Sequence, residues 1–413
     1  MQRVVIVGAS LGGLRSAESL RSSGFTGEIV VIGDEPHMPY NRPPLSKDAL
    51  KGDLSHEAVA FRVRANASDV QWWLGHPAVS SDLASHTVSL ANGDVITFDG
   101  LIAATGLRPR RLDLPGPAAD AVAGRHTLRT LEDALGLRAQ LAPDSRVVIL
   151  GAGFIGCEVA ATVSALGCHA TCVAIDPLPM VAALGTELAA EVKRRHEAHG
   201  TRFRLGTGVE AFLGTDRITG VRLTSGEELV ADVVVEAIGS VCNTEWLEGN
   251  DLDLTNGVLT DNGLRMLTTS GEAFERMYAV GDIARFPNPL FDAVPRRIEH
   301  WSIPTDTGRR AAPLMAAALG PDPDAFAAAA ATPFTPMPAF WSDQFDLRLQ
   351  AFGIPSIADT ARLLEGSLDG ELVMGYLRQD VLVGVTAIGM TKQVATYRST
   401  IGHPIASLEE STS

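Results

Sequence analysis

The sequence predicts an α/β protein with two parallel-sheet units and an antiparallel C-terminal sheet, and three observations carry this prediction. In the run 147 to 158, Val-Val-Ile-Leu-Gly-Ala-Gly-Phe-Ile-Gly-Cys-Glu, four apolar residues lead into a glycine-rich turn and then a helix. The run 3 to 13 repeats this order of strand, turn and helix at the N-terminus. Strand-like segments at 372 to 376 and 381 to 386, with a helix near 392 to 401, favour an antiparallel sheet.

Length and composition limit the class of protein. The 413 residues exceed what one hydrophobic core usually organises, so two or three domains are expected. Hydrophobic residues make up 46% and charged residues 20%, which argues against disorder. The net charge of -15 argues against a general nucleic-acid or anionic-membrane surface. Because no apolar run reaches the roughly 18 residues of a spanning helix and no signal-peptide layout is present, we expect a cytoplasmic protein.

The cysteines exclude one class of flavin enzyme. The four cysteines are Cys157, Cys168, Cys172 and Cys242, and no pair has a C-x-x-C or other close redox spacing. A dithiol that carries electrons from a flavin is therefore not expected. We interpret Cys168 and Cys172 as small buried hydrophobic residues and predict no metal site.

Each glycine of the mid-chain turn has a structural purpose. Gly151 permits the tight turn, Gly153 lets a pyrophosphate approach the backbone, and Gly156 lets the helix pack closely on the strand. The N-terminus of the helix then offers N–H groups to the phosphates. This turn, with Ile155 inside it, predicts a Rossmann-like dinucleotide-binding domain.

The N-terminal turn, Gly8-Ala9-Ser10-Leu11-Gly12-Gly13, departs from this spacing because Ser10 stands where the middle glycine is usual. A strand at 29 to 32 follows and ends in Gly33-Asp34-Glu35, where an acid accepts hydrogen bonds from a ribose in such a unit. Either Asp34 or Glu35 fits that role. The context predicts a second Rossmann-like domain whose phosphate loop contains Gly8, Ser10 and Gly13.

A proline-rich segment carries a family resemblance. Residues 39 to 47 read Pro-Tyr-Asn-Arg-Pro-Pro-Leu-Ser-Lys. They resemble the segment that covers the flavin in the FAD-dependent ferredoxin reductases of the putidaredoxin reductase and ring-hydroxylating dioxygenase type. The resemblance places Arg42 in the flavin site and Lys47 near the reactive edge of the isoalloxazine. A lysine there stabilises the negative charge that gathers on a reduced flavin.

Further motifs extend the resemblance over essentially the whole chain. The family's A-T-G turn beside the flavin matches Ala104-Thr105-Gly106, and its Gly-Asp pair at the ribityl chain matches Gly281-Asp282. The E-x-W motif matches Glu299 and Trp301, and the run 340 to 350 resembles the opening of the family's C-terminal domain. On the nicotinamide side, the resemblance implies roles for Glu158 and Gly239.

Glu158 has two interpretations. In the family the matching glutamate lies near the nicotinamide ribose and the flavin lysine, which implies an ion pair between Glu158 and Lys47. The alternative is an acid in the first turn of the helix, where the helix dipole favours negative charge. The resemblance assigns catalytic roles to Lys47, Glu158, Glu299 and Trp301.

Some positions depart from the family pattern. Ala174 stands where an acid normally binds the adenosine ribose of NAD, and Asp176 is the candidate to replace it. Leu178 and Ala182 stand where arginines often follow, which disfavours NADP. Thr307 stands where glutamine is usual, so flavin-proximal contacts are expected to differ.

The resemblance implies a domain organisation and a function. It predicts an FAD-binding domain at 1–112 and 241–325, an NAD-binding domain at 113–240, and a C-terminal α+β domain of the interface or dimerisation type at 326–413. The implied activity is that of a FAD-dependent NADH:ferredoxin reductase. It would pass electrons singly to an acidic iron-sulfur ferredoxin that serves an oxygenase. A monomer and a homodimer both remain open.

Two other functions stay open on the same scaffold. One is an NADH oxidase or small-molecule reductase, although residues 36 to 52 lack the cysteine of the peroxidatic relatives. The other is a flavoprotein resembling apoptosis-inducing factor, with weak use of NADH. Docking of an acidic ferredoxin would need a basic rim. Its candidate residues are Arg296, Arg297, Arg309 and Arg310.

Four local structures are also expected. Residues 69 to 99 predict a small β-meander, and residues 131 to 141 a linker helix. Residues 321 to 338, rich in Ala and Pro, are typical of a linker. A helix is expected directly after Gly281-Asp282, with its N-terminus toward phosphate.

Overall fold

The computed structural model describes residues 1–52, 54–117 and 123–405. The chain forms two compact units. Unit 1 comprises Met1–Asn41, His56–Arg108 and Cys242–Pro338, and unit 2 comprises Arg42–Ser55, Pro109–Val241 and Ala339–Ser413. The division into three domains expected from the sequence stays a prediction.

The strands, in chain order, are β1 (Arg3–Val7), β2 (Glu28–Gly33), β3 (Gln71–Leu74), β4 (Ala78–Asp82), β5 (Thr87–Leu90), β6 (Val95–Thr97), β7 (Gly100–Ala103), β8 (Leu107–Pro109), β9 (Arg125–His126), β10 (Arg146–Leu150), β11 (His169–Ala174), β12 (Arg202–Leu205), β13 (Val209–Gly214), β14 (Ile218–Leu223), β15 (Glu228–Val230), β16 (Val233–Glu236), β17 (Ser240–Cys242), β18 (Val258–Leu259), β19 (Arg265–Leu267), β20 (Ala273–Ala279), β21 (Ala284–Asn288), β22 (Asp292–Arg297), β23 (Ala339–Gln344), β24 (Leu347–Gly353), β25 (Thr360–Gly366), β26 (Leu372–Arg378) and β27 (Val381–Ile388). The α-helices are α1 (Leu11–Ser22), α2 (Asp48–Lys51), α3 (His56–Val59), α4 (Leu131–Arg138), α5 (Phe154–Ala165), α6 (Val181–Ala198), α7 (Ile303–Leu319), α8 (Pro323–Ala330) and α9 (Thr391–Thr396).

Unit 1 is built on a six-stranded sheet in the order β19-β20-β7-β1-β2-β3. β1 runs parallel to both β2 and β7, and its residues 4 to 7 are buried. A continuous apolar run suits this position because both faces of a parallel sheet are covered. Helix α1 follows β1 and packs closely on α7, where a Cβ added at Gly308 would lie 3.0 Å from Ser16 Oγ.

The predicted meander is only partly right. β3 pairs in parallel with β2, in the register Val30 to Gln71, and so extends the main sheet of unit 1. β4, β5 and β6 form the three-stranded antiparallel sheet that the turn residues predicted. Trp72 and Trp73 are both half-buried, so β3 lacks the alternation of a meander strand.

Unit 2 contains a five-stranded sheet in the order β12-β11-β10-β16-β9, whose neighbouring strands run parallel. A three-stranded sheet, β13-β14-β15, packs on it through a common apolar core that includes Val148, Val173, Phe212 and Val221. The C-terminal strands form an antiparallel sheet in the order β23-β24-β27-β26-β25. The predicted fold class, two parallel-sheet units with an antiparallel C-terminal sheet, is confirmed.

Three local predictions are corrected. The segment expected to be a linker contains α8, because a run of alanines favours helix, and the Asp322 side chain accepts a hydrogen bond from the Asp324 N–H at 3.0 Å. Gly281 and Asp282 lie in a single 3-10 turn, Gly281–Ile283, which is followed by β21 rather than by a helix. The helix near 392 to 401 is α9 followed by a 3-10 turn, Tyr397–Ser399. Over the described residues, no helix has the length and apolar character needed to cross a membrane.

Candidate functional site

The glycine turn of unit 1 packs directly against neighbouring backbone. Gly8 has a φ of +123°, and a Cβ there would lie 2.1 Å from the carbonyl oxygen of Ala104. A Cβ at Gly13 would lie 2.0 Å from the carbonyl oxygen of Gly8. The Gly8 N–H donates to the Ile32 carbonyl at 2.7 Å. Both glycines are therefore required by the path of the chain, independently of any ligand.

Ser10 is the N-cap residue of α1, with extended backbone, and its side chain makes no capping hydrogen bond. The N–H groups at the start of a helix need acceptors from outside the helix, and an anion supplies them well. The turn from Gly8 to Gly13 therefore fits a dinucleotide pyrophosphate despite the missing glycine.

The two acids after β2 are in different environments. Asp34 is exposed, whereas Glu35 is half-buried and accepts a hydrogen bond from the Tyr40 hydroxyl at 2.5 Å. Glu35 therefore has its orientation set by Tyr40, and Asp34 faces solvent. Both remain candidates for the ribose of a dinucleotide.

The Ala104-Thr105-Gly106 turn is held by Asn243. The Thr105 hydroxyl donates to the Asn243 carbonyl at 2.5 Å, and the Asn243 side-chain amide donates to the Thr105 carbonyl at 3.1 Å. The Asn243 N–H donates to the Gly106 carbonyl at 3.0 Å. These three hydrogen bonds fix the turn at the end of β7, beside the Gly8 loop.

The Gly281-Asp282 turn is supported by Thr307. Gly281 has a φ of +71°, and its N–H donates to Thr307 Oγ1 at 2.9 Å. The Thr307 hydroxyl donates in turn to the Ile303 carbonyl at 2.6 Å, and the side chain is fully buried. Thr307 was singled out in the sequence as a departure from the family pattern. In this chain it fixes the turn that carries Asp282.

Glu299 is linked to this turn through Arg297, and Trp301 lies two residues beyond Glu299. Arg297 pairs with Glu299 at 2.8 Å and donates to the Asp282 carbonyl at 3.1 Å. The Trp301 indole N–H donates to Asn41 Oδ1 at 3.0 Å, while the side chain is 41% exposed. Unit 1 therefore presents the indole ring of Trp301 to solvent, and Asn41 fixes the orientation of that ring. Between these residues, burial lowers the pKa of His300 to about 4, so its imidazole is neutral at physiological pH.

The glycine turn of unit 2 repeats the geometry of the first. A Cβ at Gly151 would lie 2.2 Å from the Ala237 carbonyl oxygen, and one at Gly156 would lie 2.2 Å from the Gly151 carbonyl oxygen. At Gly153 an added Cβ would meet nothing within 4 Å. Two of the glycines are required by the fold, and the third borders open space at the N-terminus of α5. This is the arrangement that a dinucleotide pyrophosphate fits.

Glu158 is the centre of a charged cluster in unit 2. Its Oε2 atom lies 2.6 Å from Lys47 Nζ and accepts a hydrogen bond from the Ser46 hydroxyl at 2.6 Å. Its Oε1 atom accepts from the Ser342 hydroxyl at 2.6 Å. The side chain is 9% exposed. The ion pair implied by the family resemblance is present.

The alternative interpretation of Glu158 is wrong. Glu158 lies one turn into α5, and the first turn of this helix carries no acidic residue. The carboxylate therefore depends on its lysine and serine partners rather than on the helix N-terminus.

The Arg-Pro-Pro-Leu-Ser-Lys segment is fixed to this helix. The Thr162 hydroxyl, on α5, donates to the Ser46 carbonyl at 2.8 Å. At the other end of the segment, the Arg42 guanidinium donates to the Arg129 carbonyl at 2.7 Å. Lys47 therefore reaches Glu158 from backbone that is held on both sides.

The end of β11, where an acid was expected to bind an adenosine ribose, carries no charged side chain. Ala174 ends β11 and is buried, whereas Asp176 is exposed just beyond the strand. On the neighbouring strand, Arg204 pairs with Glu227 at 3.0 Å. The Gly206 N–H donates to the Asp176 carbonyl at 3.2 Å, which fixes the backbone here. Gly239, which follows β16 in the same sheet, has a φ of +92° and borders open space.

The four arginines proposed as a basic rim are mostly engaged within the chain. Arg296 pairs with Asp292 at 2.8 Å, and Arg297 pairs with Glu299. Arg310 donates to the Ala329 carbonyl at 3.1 Å. Arg309 is exposed on α7. The cluster therefore carries less net positive charge than the sequence alone indicated.

Comparisons with known proteins agree with this geometry. Residues 2–308 match the family model of the pyridine nucleotide-disulphide oxidoreductases, and residues 339–411 match a model described as reductase C-terminal. The chain belongs to the pyridine nucleotide-disulphide oxidoreductase family. Members of this oxidoreductase family use FAD and a pyridine nucleotide.

Individual relatives of this oxidoreductase cover nearly its full length. Rhodocoxin reductase of Rhodococcus erythropolis is 37% identical over 89% of this chain and 81% of the relative. The ferredoxin--NAD(+) reductase component of the p-cumate 2,3-dioxygenase system of Pseudomonas putida is 33% identical over 96% and 92%. Among solved structures, the covalent putidaredoxin reductase-putidaredoxin complex matches with a TM-score of 0.86 and 30% identity, covering 96% of this chain and 92% of that one. The family resemblance drawn from the motifs is confirmed.

Sequence reasoning missed the residues that support the oxidoreductase's charged cluster. Ser46 and Ser342 both lie inside segments that resemble the family, but no local pattern marked their hydroxyl groups as partners of Glu158. The only signal was their position beside matched residues. Asn41, the partner of Trp301, was missed for the same reason.

Proposed function

We propose that this protein is a FAD-dependent NADH:ferredoxin reductase that passes electrons singly to an iron-sulfur ferredoxin serving an oxygenase. The observation that carries the proposal is the joint presence of two dinucleotide turns and a largely buried Lys47–Glu158 pair in a chain whose relatives are named reductases of this kind. When bound, a flavin accepts two electrons together from a nicotinamide and gives them singly to an iron-sulfur centre.

The chain's own residues hold the cofactors. In this proposal FAD binds unit 1, with its pyrophosphate at the Gly8 to Gly13 turn and its ribose at Asp34 or Glu35. Gly281 and Asp282 would face the ribityl chain, and Trp301 would lie beside the flavin ring. The support is that Thr307, Asn243 and Asn41 already fix these elements through hydrogen bonds.

NADH binds unit 2 at Gly151, Gly153 and Gly156 in this proposal. NADH is favoured over NADPH because a 2′-phosphate needs cations. Positions 178 and 182 carry none, and Arg204 is already paired with Glu227. Asp176 is then the candidate to accept the adenosine ribose hydroxyls.

Lys47 and Glu158 set the charge where the electrons pass. The family resemblance puts the Lys47 ammonium at the flavin edge, where it stabilises developing negative charge. Glu158 would orient that ammonium and balance its charge. Because the pair is almost buried, its interaction is stronger than in water.

Two alternatives predict different outcomes in one experiment. An oxidase would consume oxygen rapidly without a protein acceptor. A flavoprotein resembling apoptosis-inducing factor would react with NADH only weakly. Ala174 and the altered segment 302 to 307 are the features that favour this second alternative.

The experiment mixes the purified yellow protein anaerobically with NADH or NADPH in a stopped-flow spectrometer. NADH should bleach the flavin absorbance within seconds, and NADPH should require a much higher concentration. A [2Fe-2S] ferredoxin of the putidaredoxin type should then accelerate cytochrome c reduction. Absence of bleaching at millimolar NADH contradicts the proposed function, and fast oxygen uptake without ferredoxin supports the oxidase.

A further inference from the structure

A continuous chain of buried hydrogen bonds runs from the Lys47–Glu158 pair into the C-terminal sheet and on to α6. Ser342, on β23, donates its hydroxyl to Glu158 Oε1 at 2.6 Å. Gln344, two residues further along β23, donates its side-chain N–H to Ser342 Oγ at 2.9 Å. Gln344 Oε1 lies 2.8 Å from His196 Nε2 on α6. Ser342, Gln344 and His196 are all fully buried.

The charge of Glu158 determines the direction of every bond in this chain. An ionised carboxylate only accepts hydrogen bonds, so the single hydroxyl hydrogen of Ser342 points to Glu158. Ser342 Oγ must then accept from Gln344, which directs the Gln344 N–H groups toward Ser342 and its carbonyl toward His196. The Gln344 carbonyl accepts, so His196 must carry its hydrogen on Nε2.

The surroundings of His196 agree with this assignment. Its Nδ1 atom is buried, and among the described residues no hydrogen-bond partner lies next to it. The ring packs edge-on against Phe203 and Phe345. Burial lowers the pKa of His196, so the imidazole is neutral. A neutral ring with hydrogen only on Nε2 leaves a bare Nδ1 in an apolar environment, which costs less than burying an unpaired N–H.

We propose that Ser342 and Gln344 are positioning residues for the charged site: with the Nε2–H tautomer of His196, they lock Glu158 in the rotamer that holds Lys47. The proposal rests on the proposed function for the statement that Lys47 acts at the flavin. It gives the C-terminal sheet a role in electron transfer through β23.

The mechanism is preorganisation. A glutamate side chain has several rotatable bonds, so donors on both carboxylate oxygens are needed to fix its plane. Ser46 and Lys47 anchor Oε2, and Ser342 alone among the described residues is seen to donate a hydrogen bond to Oε1. Losing the Ser342 hydroxyl frees the carboxylate to rotate away from Lys47. Misplacement of a reacting group by about 1 Å lowers rates by up to 10²-fold.

The first test is spectroscopic and needs no NADH. In the FAD-loaded protein labelled with ¹⁵N-histidine, the His196 signal, assigned with a His196→Gln variant, should show hydrogen on Nε2 and a bare Nδ1. Observation of the Nδ1–H tautomer would contradict the proposed direction of the hydrogen bonds between His196 and Glu158. Because no substrate is added, this outcome stands whether or not the proposed function is right.

The second test measures anaerobic flavin bleaching by NADH in Ser342→Ala and Ser342→Thr. Ser342→Ala should lower the limiting rate about tenfold while the half-saturating NADH concentration changes less than about twofold. Ser342→Thr, which keeps a hydroxyl, should restore most of the rate. In a Glu158→Gln background, Ser342→Ala should change the limiting rate less than about twofold, since Ser342 acts only through the carboxylate.

Two results would overturn the positioning role. One is an equal loss from Ser342→Ala in the presence and absence of the Glu158 carboxylate, which indicates a general structural effect. The other is an unchanged limiting rate in Ser342→Ala with wild-type FAD content. If NADH does not bleach the flavin of the wild-type protein, the proposed function is contradicted. The tautomer measurement then tests the hydrogen-bond chain by itself.

Discussion

Lys47 Nζ lies 2.6 Å from Glu158 Oε2, and this ion pair joins a proline-rich segment to the helix that follows the second glycine turn. The side chains are 18% and 9% exposed. A pair this buried is costly to break because the remaining charge loses both its partner and its water.

Replacing Lys47 by methionine should separate the effect of the lysine's charge from the effect of its side-chain volume. Lys47→Met keeps most of the side-chain volume, but it leaves Glu158 with serine donors and no counter-charge. We expect the limiting rate of flavin bleaching by NADH to fall about 10²-fold and the free energy of unfolding to fall by roughly 1–3 kcal/mol. Stopped-flow absorbance and urea denaturation measure the two effects. Lys51→Met, at the exposed end of α2 four residues further along, is the control and should change neither quantity.

The two glycines at the start of α5 should respond differently to alanine. At Gly153 the added methyl group enters open space, so Gly153→Ala should cost about 1 kcal/mol of stability or less while raising the half-saturating NADH concentration at least about tenfold. At Gly156 the Cβ would lie 2.2 Å from a backbone oxygen, so Gly156→Ala should destabilise the fold by roughly 1–3 kcal/mol. Thermal unfolding and NADH titration distinguish the two. Unchanged NADH use in Gly153→Ala would place the pyrophosphate elsewhere.

An acid at position 174 should strengthen NADH binding. Ala174 ends β11 where a carboxylate would accept from the adenosine ribose, and one charge-assisted hydrogen bond corresponds to about a tenfold gain in affinity. Ala174→Glu should therefore lower the half-saturating NADH concentration by that factor. Ile175→Glu is the matched control, because the neighbouring side chain lies just beyond the end of β11 and is exposed. Equal behaviour of the two variants would contradict this placement of the ribose.

Thr307 should matter for FAD through the Gly281 turn. Thr307→Val keeps the shape of the side chain but removes the acceptor of the buried Gly281 N–H, at a cost of roughly 1–3 kcal/mol. We expect weaker FAD retention, measured as the increase in free-flavin fluorescence on dilution. Thr307→Ser retains the hydroxyl and should behave like the wild type. If both variants lose FAD equally, the methyl packing rather than the hydrogen bond supports the turn.

The buried histidines should make the protein acid-sensitive. An imidazole in an unfolded chain has a pKa of about 6.5, and burial lowers the pKa of His300 to about 4 in the folded protein. Between these values the unfolded chain binds a proton that the folded chain does not. Stability is therefore lost as the pH falls from about 6.5 toward about 4, at about 1.4 kcal/mol per pH unit. Burial shifts the pKa of His126 and His196 in the same direction.

The variant His300→Phe should make this pH dependence shallower, because one titrating group is removed. Urea denaturation at several pH values between about 4 and about 7 measures the slope. His403→Phe removes an exposed imidazole and serves as the control. An identical slope in His300→Phe and in the wild type would show that His300 is not the group responsible.

Local constraints made much of the fold predictable. Glycine is needed wherever the backbone has positive φ or meets another backbone closely, so Gly8, Gly13, Gly151 and Gly156 identified both parallel-sheet units directly. Continuous apolar runs marked the central strands. Predictions from composition were weaker. Alanine and proline together indicated a linker where α8 forms, and the segment of β3 was assigned to the wrong sheet.

The sequence by itself determined the two dinucleotide turns, the fold class and the family, because each depends on spacings within a few residues. Only the tertiary structure decided which hydroxyl groups donate to Glu158 and which side chain supports Gly281. Ser46, Glu158 and Ser342 come from three distant parts of the chain, and a hydrogen bond between them depends on the path of the backbone rather than on any local pattern. Of the four arginines expected to form a basic rim, Arg296 and Arg297 pair with acids only a few residues away, whereas the Arg310 bond to the Ala329 carbonyl depends on how α7 and α8 pack. Hydrogen bonds need partners within about 3 Å, and only the folded chain supplies that proximity.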